Sequence, residues 1–333
     1  MITVRRAGLA VVTDLGRPGL ARHGIPAGGA ADQYSAVVAN VLAGNAEGDP
    51  LIEVTASDFT FTADRAALVA VAGAPATVTV GQRLARAWEP VCVAAHEQVS
   101  VTGIHAGLRV YVAVNGLWGV PRVYGSCAPN AQLGVGTWLR TGSQVTVRTD
   151  YCPIDHPVFR LPVFALGARP PRFGSPWTID VTTGPDSAEV TAATETLASA
   201  TYTVRPDSDH IGLRLAGPVP CRTATTEMLS KGVPAGAVEM PPAEELLVLQ
   251  RGRPVTAGYP VVAVATRVAQ SALGQVRPGQ TIQFRLCTVD EAVAAQRRQR
   301  RNLDELAGRA RTAFASVSIP HRIGAKSGLM VQL

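Results

Sequence analysis

The sequence predicts a mainly β protein, a β-rich α+β chain built as two packed β domains. Three observations carry this expectation. Short runs rich in Val, Leu and Thr recur along most of the chain, each bounded by Gly, Pro or Asp. The 32 Gly and 24 Pro supply the frequent turns that closed or sandwiched β architectures need. Helical periodicity, by contrast, appears clearly in only two places, near residues 33–42 and after residue 290.

In chain order, the first helix is expected over 33–42, where Tyr34, Val37, Val38, Val41 and Leu42 form one stripe, Asp32 sits at its start and Gly44 stops it. Strands follow at 51–55, 67–72, 76–80, 91–95, 98–102, 109–114 and 144–147. Residues 152–176 hold six prolines and little pattern, which reads as a linker. Strands resume at 178–182, 201–204, 246–249, 261–265 and 281–286. From Asp290, read as its cap, a long helix runs to about Phe314 and carries Arg297, Arg298, Arg300 and Arg301. That basic cluster is either a contact for an acidic partner or a solvated face. Residues 319–333 are a loose tail, a docked strand, or an addition to the core. The expected domains are therefore 1–150, a Pro-rich linker at 151–176, a β domain at 177–290, and a helix with basic tail at 291–333.

A hydrophobic content of 47% with 17% charged residues in 333 describes a globular chain, long enough for two domains. No apolar run approaches the roughly 20 residues of a membrane helix, and the run behind Arg5 and Arg6 stops at Asp14, too short for a secretory signal. The expected location is cytoplasmic, with no membrane partner. The net charge of +6 is uneven: residues 290–333 hold eight Lys/Arg against four Asp/Glu, which leaves 23 against 21 elsewhere. A nearly neutral body is not the basic face of a nucleic-acid binder. Five scattered cysteines without a C-x-x-C pair fit reduced thiols. His96 and His105, nine residues apart with no thiol or carboxylate grouped near them, do not form a metal motif, so no metal site is expected.

The densest chemistry lies in Asp14-Leu-Gly-Arg-Pro-Gly19, His23-Gly-Ile-Pro-Ala-Gly-Gly-Ala-Ala-Asp32 and Gly44-Asn45. Glycine allows close backbone approach and proline stiffens the loop that presents polar groups. Asp14 and Asp32 either cap turns and the helix or belong to a site. Arg17 and Arg109 present planar forks that match carboxylate, carbamate or phosphate oxygens. The Gly16-Arg17-Pro18-Gly19 turn offers little apolar surface for the stem, so the Arg17 fork is expected to face a cavity. Arg109 has the alternative of a salt bridge at a strand end. Glu53, within Leu-Ile-Glu-Val, serves as acid or base if it points inward and is ordinary if it points outward. Gly73 and the pair Gly28-Gly29 either bind an oxyanion through their N–H groups or simply let the chain turn. The chain has no G-x-x-x-x-G-K-[ST] loop, no G-x-S-x-G elbow and no Met-Lys-Met biotin attachment motif.

These motifs, with Gly107-Leu-Arg-Val-Tyr-Val-Ala-Val-Asn-Gly116, Gly125-Ser126, Asp209-His-Ile-Gly-Leu-Arg-Leu215, Ser230-Lys-Gly-Val-Pro-Ala-Gly236, Pro254-Val-Thr-Ala-Gly-Tyr-Pro260 and Gln275-Val-Arg-Pro-Gly279, resemble the carboxyltransferase-like family over roughly residues 1–295. That family includes the C subunit of bacterial 5-oxoprolinase, allophanate hydrolase subunit 2 and the matching half of the urea carboxylase carboxyltransferase domain. The resemblance implies a cyclophilin-like β-barrel in the second half. It also implies a partner similar to the B subunit of 5-oxoprolinase, also called allophanate hydrolase subunit 1, in a hetero-oligomer. The implied reaction is hydrolysis of, or carboxyl transfer on, a small lactam or urea-like amide, with ATP used at the level of the complex. Asp14, Arg17, Asp32 and Glu53 are the expected catalytic residues. Asn45, Arg109, Asn115, Ser126, Asp209 and Tyr259 are the expected substrate-binding residues.

The departures from the family pattern are pointed. Gly125-Ser-Cys127-Ala-Pro stands where the family usually reads Gly-Ser-Arg-Ser/Ala-Thr, and Asp209-His210-Ile-Gly where it reads Asp-Arg-Met/Val-Gly. Gly252 and Ala257 replace an Asp and a Gly in the run that ends at Gly-Tyr-Pro, while Lys231 and Glu239 replace Glu and Gln. Either Lys231, Glu239 and His210 serve a divergent site, or catalysis is weakened and the chain acts as a binding or regulatory protein, like the family members named antagonists of a kinase inhibitor.

Overall fold

A computed structural model describes residues 1–153, 165–222, 228–242 and 245–325. Part of the expected linker (154–164) and the end of the tail (326–333) lie outside the described residues. Two compact units account for the chain: Met1–Gly16, Gln33–Arg172 and Arg301–Leu333 form the first, and Arg17–Asp32 with Phe173–Arg300 the second. The sequence places 17–32 within its first domain; in the structure that loop segment groups with the second unit.

The first unit holds two antiparallel sheets. The seven-stranded one runs in the order Leu117–Gly119, Gln144–Arg148, Ile2–Arg6, Phe59–Ala63, Gln98–Thr102, Thr77–Val80 and Arg83–Ala85. The six-stranded one runs Thr137–Trp138, Ala10–Thr13, Leu51–Thr55, Arg109–Val114, Ala67–Gly73 and Pro90–Val93. Arg109–Val114 and Ala67–Gly73 are buried along their whole length, because helix Gln33–Leu42 covers them. This explains their unbroken apolar texture, since a strand buried on both faces loses its alternation. Gly73 has φ +116°, and a Cβ there would meet the Arg109 carbonyl oxygen at 2.5 Å, so close approach of two strands requires this glycine.

The second unit is a closed seven-stranded barrel in the order Trp177–Thr183, Val261–Ala265, Ala237–Glu239, Leu246–Leu249, Gly212–Ala216, Thr201–Val204 and Thr281–Leu286. Its first and last strands close the ring in parallel, with Ile179 opposite Phe284, and closure removes free sheet edges. Val238 and Met240 face its apolar interior with Trp177, Tyr202, Leu215, Val248 and Phe284. Ala237 belongs to a second, smaller cluster with Val233, Leu249 and Val261. Helix Arg267–Leu273 starts at Thr266, whose hydroxyl accepts the Ala269 N–H.

The long helix spans Val289–Ser316. Its cap is Thr288 rather than the Asp290 expected from sequence. The Thr288 hydroxyl accepts the Glu291 N–H at 3.2 Å and the Glu291 carboxylate accepts the Thr288 N–H at 2.7 Å, a reciprocal capping box. That bond to the backbone holds the Glu291 carboxyl below its usual range. Arg297, Arg298 and Arg301 are exposed, while Leu303, Leu306, Ala307, Ala310 and Phe314 form the buried stripe. Beyond the helix the chain is docked: Ile319 and Ile323 are buried, the Arg322 N–H donates to the Gly44 carbonyl, and its guanidinium pairs with Asp49.

Candidate functional site

Within the first unit the expected site residues fall into three groups. Asp14 and Ser126 are brought together. One Asp14 oxygen accepts the Ser126 hydroxyl at 2.6 Å and the Gly16 N–H at 2.8 Å, and the other accepts the Cys127 N–H at 2.8 Å. Asp14 therefore ties the loop around residue 16 to the loop around residue 127. Cys127 is buried against this carboxylate, and burial followed by the Asp14 charge pushes its thiol strongly upward. A thiol kept protonated is a poor nucleophile.

Asn45 and Asn115 form the second group, at the end of strand Arg109–Val114. Asn45 donates to the Val114 carbonyl and accepts the Gly116 N–H, whereas Asn115 donates to the Ala43 and Pro320 carbonyls and accepts the Thr149 hydroxyl. Both side chains hold backbone in place. The third group is Glu53 with Arg109 and Tyr111, both of which meet its carboxylate. Tyr111 lies directly opposite Glu53 across the strand pair, its hydroxyl donates to Glu53 at 2.7 Å, and the Arg109 guanidinium stands 3.4 Å from the other carboxylate oxygen. An arginine fork, a carboxylate and a phenol on one sheet make a cluster able to hold an anionic or amide group.

In the second unit, Arg17 is 1% exposed, so its stem is enclosed rather than left bare as the turn composition suggested. Its N–H donates to the Ala27 carbonyl at 2.8 Å. Asp32, equally buried, accepts the Gln275 amide at 2.8 Å. Asp209 is exposed and folds back on the backbone, accepting the Ile211 and Gly212 N–H groups, an Asx turn leading into a strand. Tyr259 is 39% exposed just before strand Val261–Ala265.

The same unit holds a constellation that sequence reading names only as departures. Lys231 lies on a two-stranded ribbon, Lys231–Gly232 with Thr256–Ala257, and its ammonium grips both oxygens of Asp186. Asp186 also accepts the Val261 N–H at 2.8 Å. Glu239 lies opposite Val261 where the register slips, and its other cross-strand neighbour is Leu247. Such irregularities re-aim side chains. Glu239 is 1% exposed, and one of its oxygens has no hydrogen-bond partner among the described residues. Burial pushes its carboxyl up to about 7, against the pull of Lys231. Sequence reading misses Asp186 altogether, because its partner is 45 residues away. No group of His, Cys, Asp and Glu that could hold a metal occurs among the described residues. No described helix is long and apolar enough to cross a membrane.

Comparison with known proteins agrees with this architecture. The chain is 29% identical to the C subunit of 5-oxoprolinase from Escherichia coli (strain K12) over 315 residues, covering 93% of this chain and 98% of that one. It is 26% identical to urea amidolyase of Lachancea kluyveri over 293 residues, which are 81% of this chain and only 16% of that protein. The crystal structure of the K. lactis urea amidolyase shares the fold with a TM-score of 0.81 at 24% identity, over 92% of this chain and 20% of that one. The structure of TTHA0988 superposes with a TM-score of 0.73 at 26% identity, over 85% of this chain and 55% of that one. Residues 23–286 match the model of the carboxyltransferase domain, subdomain A and B, and the chain belongs to that family.

Proposed function

We propose that this chain is one subunit of a two-protein hydrolase that opens a small lactam or cleaves a urea-like amide. In this reading ATP is used at the level of the complex, and the partner is similar to the B subunit of 5-oxoprolinase. The observation that carries the reading is the end-to-end correspondence with the C subunit of 5-oxoprolinase, a relative whose own name makes it part of a larger enzyme. In urea amidolyase a region like this one is a small part of a longer chain. The Arg109–Glu53–Tyr111 cluster supports it chemically: the fork is suited to a substrate carboxylate or a developing oxyanion, and the carboxylate to an amide N–H. The test is co-purification with the candidate partner, followed by turnover of 5-oxoproline and of urea-derived amides with ATP. Turnover by the complex and by neither chain alone is expected; absence of a complex at micromolar concentration overturns the reading.

A second reading has its own support. Gly252 is packed against His210 where the family carries an aspartate, and Cys127 is a buried thiol where it carries an arginine. Both favour a binding or regulatory protein that retains the fold. Ligand binding without turnover in the same assay would select it.

A further inference from the structure

An open cavity of about 400 Å³ lies within the first unit, lined on one side by the segment 165–169 and on the other by Asn302, Glu305, Leu306 and Arg309. We propose that this cavity binds a small acidic α-amino acid, a ligand with two carboxylates and one ammonium. None of its residues belongs to the Arg109–Glu53–Tyr111 cluster, and the proposal does not depend on the amide-cleaving reading.

The two walls are built differently. Asn302, Glu305, Leu306 and Arg309 stand at i, i+3, i+4 and i+7 of helix Val289–Ser316, so they share one face. Leu303 and Leu306 are buried and, with buried Leu166, give the cavity an apolar lining. The facing wall is irregular chain held by hydrogen bonds on both sides. The Glu89 carboxylate accepts the Leu166 N–H at 2.7 Å and the Gly167 N–H at 3.4 Å. Arg309 donates from Nε to the Leu166 carbonyl at 2.9 Å and from Nη2 to the Gly167 carbonyl at 3.4 Å. The Tyr34 hydroxyl donates to the Arg169 carbonyl at 3.1 Å. A segment fastened in this way is pre-formed, as ligand sites usually are, and the volume falls within the roughly 300–1,000 Å³ of small-molecule pockets.

Charge selects the occupant. Arg169 and Arg309 both line the cavity, and neither guanidinium has a carboxylate partner among the described residues. The two bonds that Arg309 makes leave its Nη1 unused. The Glu305 carboxylate likewise has no cationic partner among the described residues. Two arginines and one glutamate give the lining a charge of +1, and an acidic amino acid carries −1. Its carboxylates match the two forks, its ammonium matches Glu305, and the Asn302 amide is a further donor. A plain dicarboxylate would leave Glu305 facing only like charge, and a neutral amino acid would leave one arginine without a carboxylate. All three charged residues are exposed, so the ligand enters directly from solvent.

The experiment titrates the full chain with L-glutamate and L-aspartate and follows the Leu166 and Gly167 amides by ¹H–¹⁵N NMR. Glutarate, which lacks the ammonium, 4-aminobutyrate, which lacks one carboxylate, and inorganic phosphate are the comparison probes. At least one of the two amino acids should shift both amides and bind roughly 10- to 100-fold more tightly than any comparison probe. Arg169→Ala should weaken that binding by a similar factor. Glu305→Gln should weaken the amino acid while leaving glutarate equal or tighter, a reversal that a merely structural role of Glu305 would not give. Both side chains are exposed, so both variants should keep the wild-type melting temperature. No shift of either amide at about 10 mM of either amino acid overturns the proposal. So does glutarate or phosphate bound as tightly as the amino acid, which would make the cavity a general anion site.

Discussion

Gly252 and His210 occupy each other's space: a Cβ at position 252 would stand 2.6 Å from the His210 Cδ2 and 2.6 Å from its carbonyl oxygen. The Gly252 N–H also donates to that carbonyl. Two residues distant in sequence thus form one packing arrangement. Gly252→Asp should therefore destabilise by about 1–3 kcal/mol through overpacking, several degrees in a thermal melt. Removing the imidazole in His210→Ala/Gly252→Asp should recover only part of the loss, because the carbonyl remains. Full recovery would show that the imidazole alone sets the constraint.

Asp14 receives three donors, so its removal leaves buried N–H and O–H groups without an acceptor. Asp14→Ala should cost on the order of 3 kcal/mol in urea unfolding. Ser126→Ala removes one of the three donors and also the acceptor of the Ala128 N–H, and should cost about 1–2 kcal/mol, less than Asp14→Ala. Equal losses would place the energy elsewhere in the loop.

The pH dependence of stability follows from Glu239. Its folded carboxyl titrates near 7, above the usual 4.5, so the native state holds a proton that the unfolded chain has released. The resulting stability is fully present below pH 4.5 and is lost as pH rises through 7. The contribution is on the order of 3 kcal/mol. Glu239→Gln should flatten this slope and make the protein more stable than wild type at pH 8. Parallel melting curves across pH 5–8 for both proteins would remove the assignment.

How much of this is legible in the sequence varies with the physics. Strands such as Leu51–Thr55 and Arg109–Val114 are readable because burial writes an apolar run. Ile2–Arg6 is not, since Arg5 and Arg6 interrupt its pattern, and Ala237–Glu239 is three residues long among prolines and glycines. The loop residues Asp14 and Arg17 stand out by type. Yet sequence alone does not say that Asp14 spends its oxygens on Ser126 and Cys127, over a hundred residues away. The pairing of Lys231 with Asp186 depends likewise on how the barrel brings loops together.

Residues 319–323, which by sequence alone are either a loose tail or a docked segment, are docked, and docking has a measurable effect. Truncation after residue 315 removes Ile319, Ile323 and the Arg322–Asp49 pair, leaving Asp49 buried with its carboxyl pushed up by burial and without the strongest opposing charge. A loss of about 3–5 kcal/mol is expected, from apolar exposure together with an uncompensated carboxylate. Retention of the full melting temperature would mean these contacts are dispensable.

The first unit is discontinuous, with Phe173–Arg300 of the second unit lying within its sequence. During synthesis the barrel strands, from Trp177 to Leu286, leave the ribosome before Ile319 and Arg322 do. The ring can close while its elder neighbour still waits for its last segment. Order of birth and order of completion are therefore reversed. A nascent chain arrested so that Leu286 has just cleared the exit tunnel, with Ile319 and Arg322 still inside it, should resist protease across the barrel while remaining susceptible within residues 33–150.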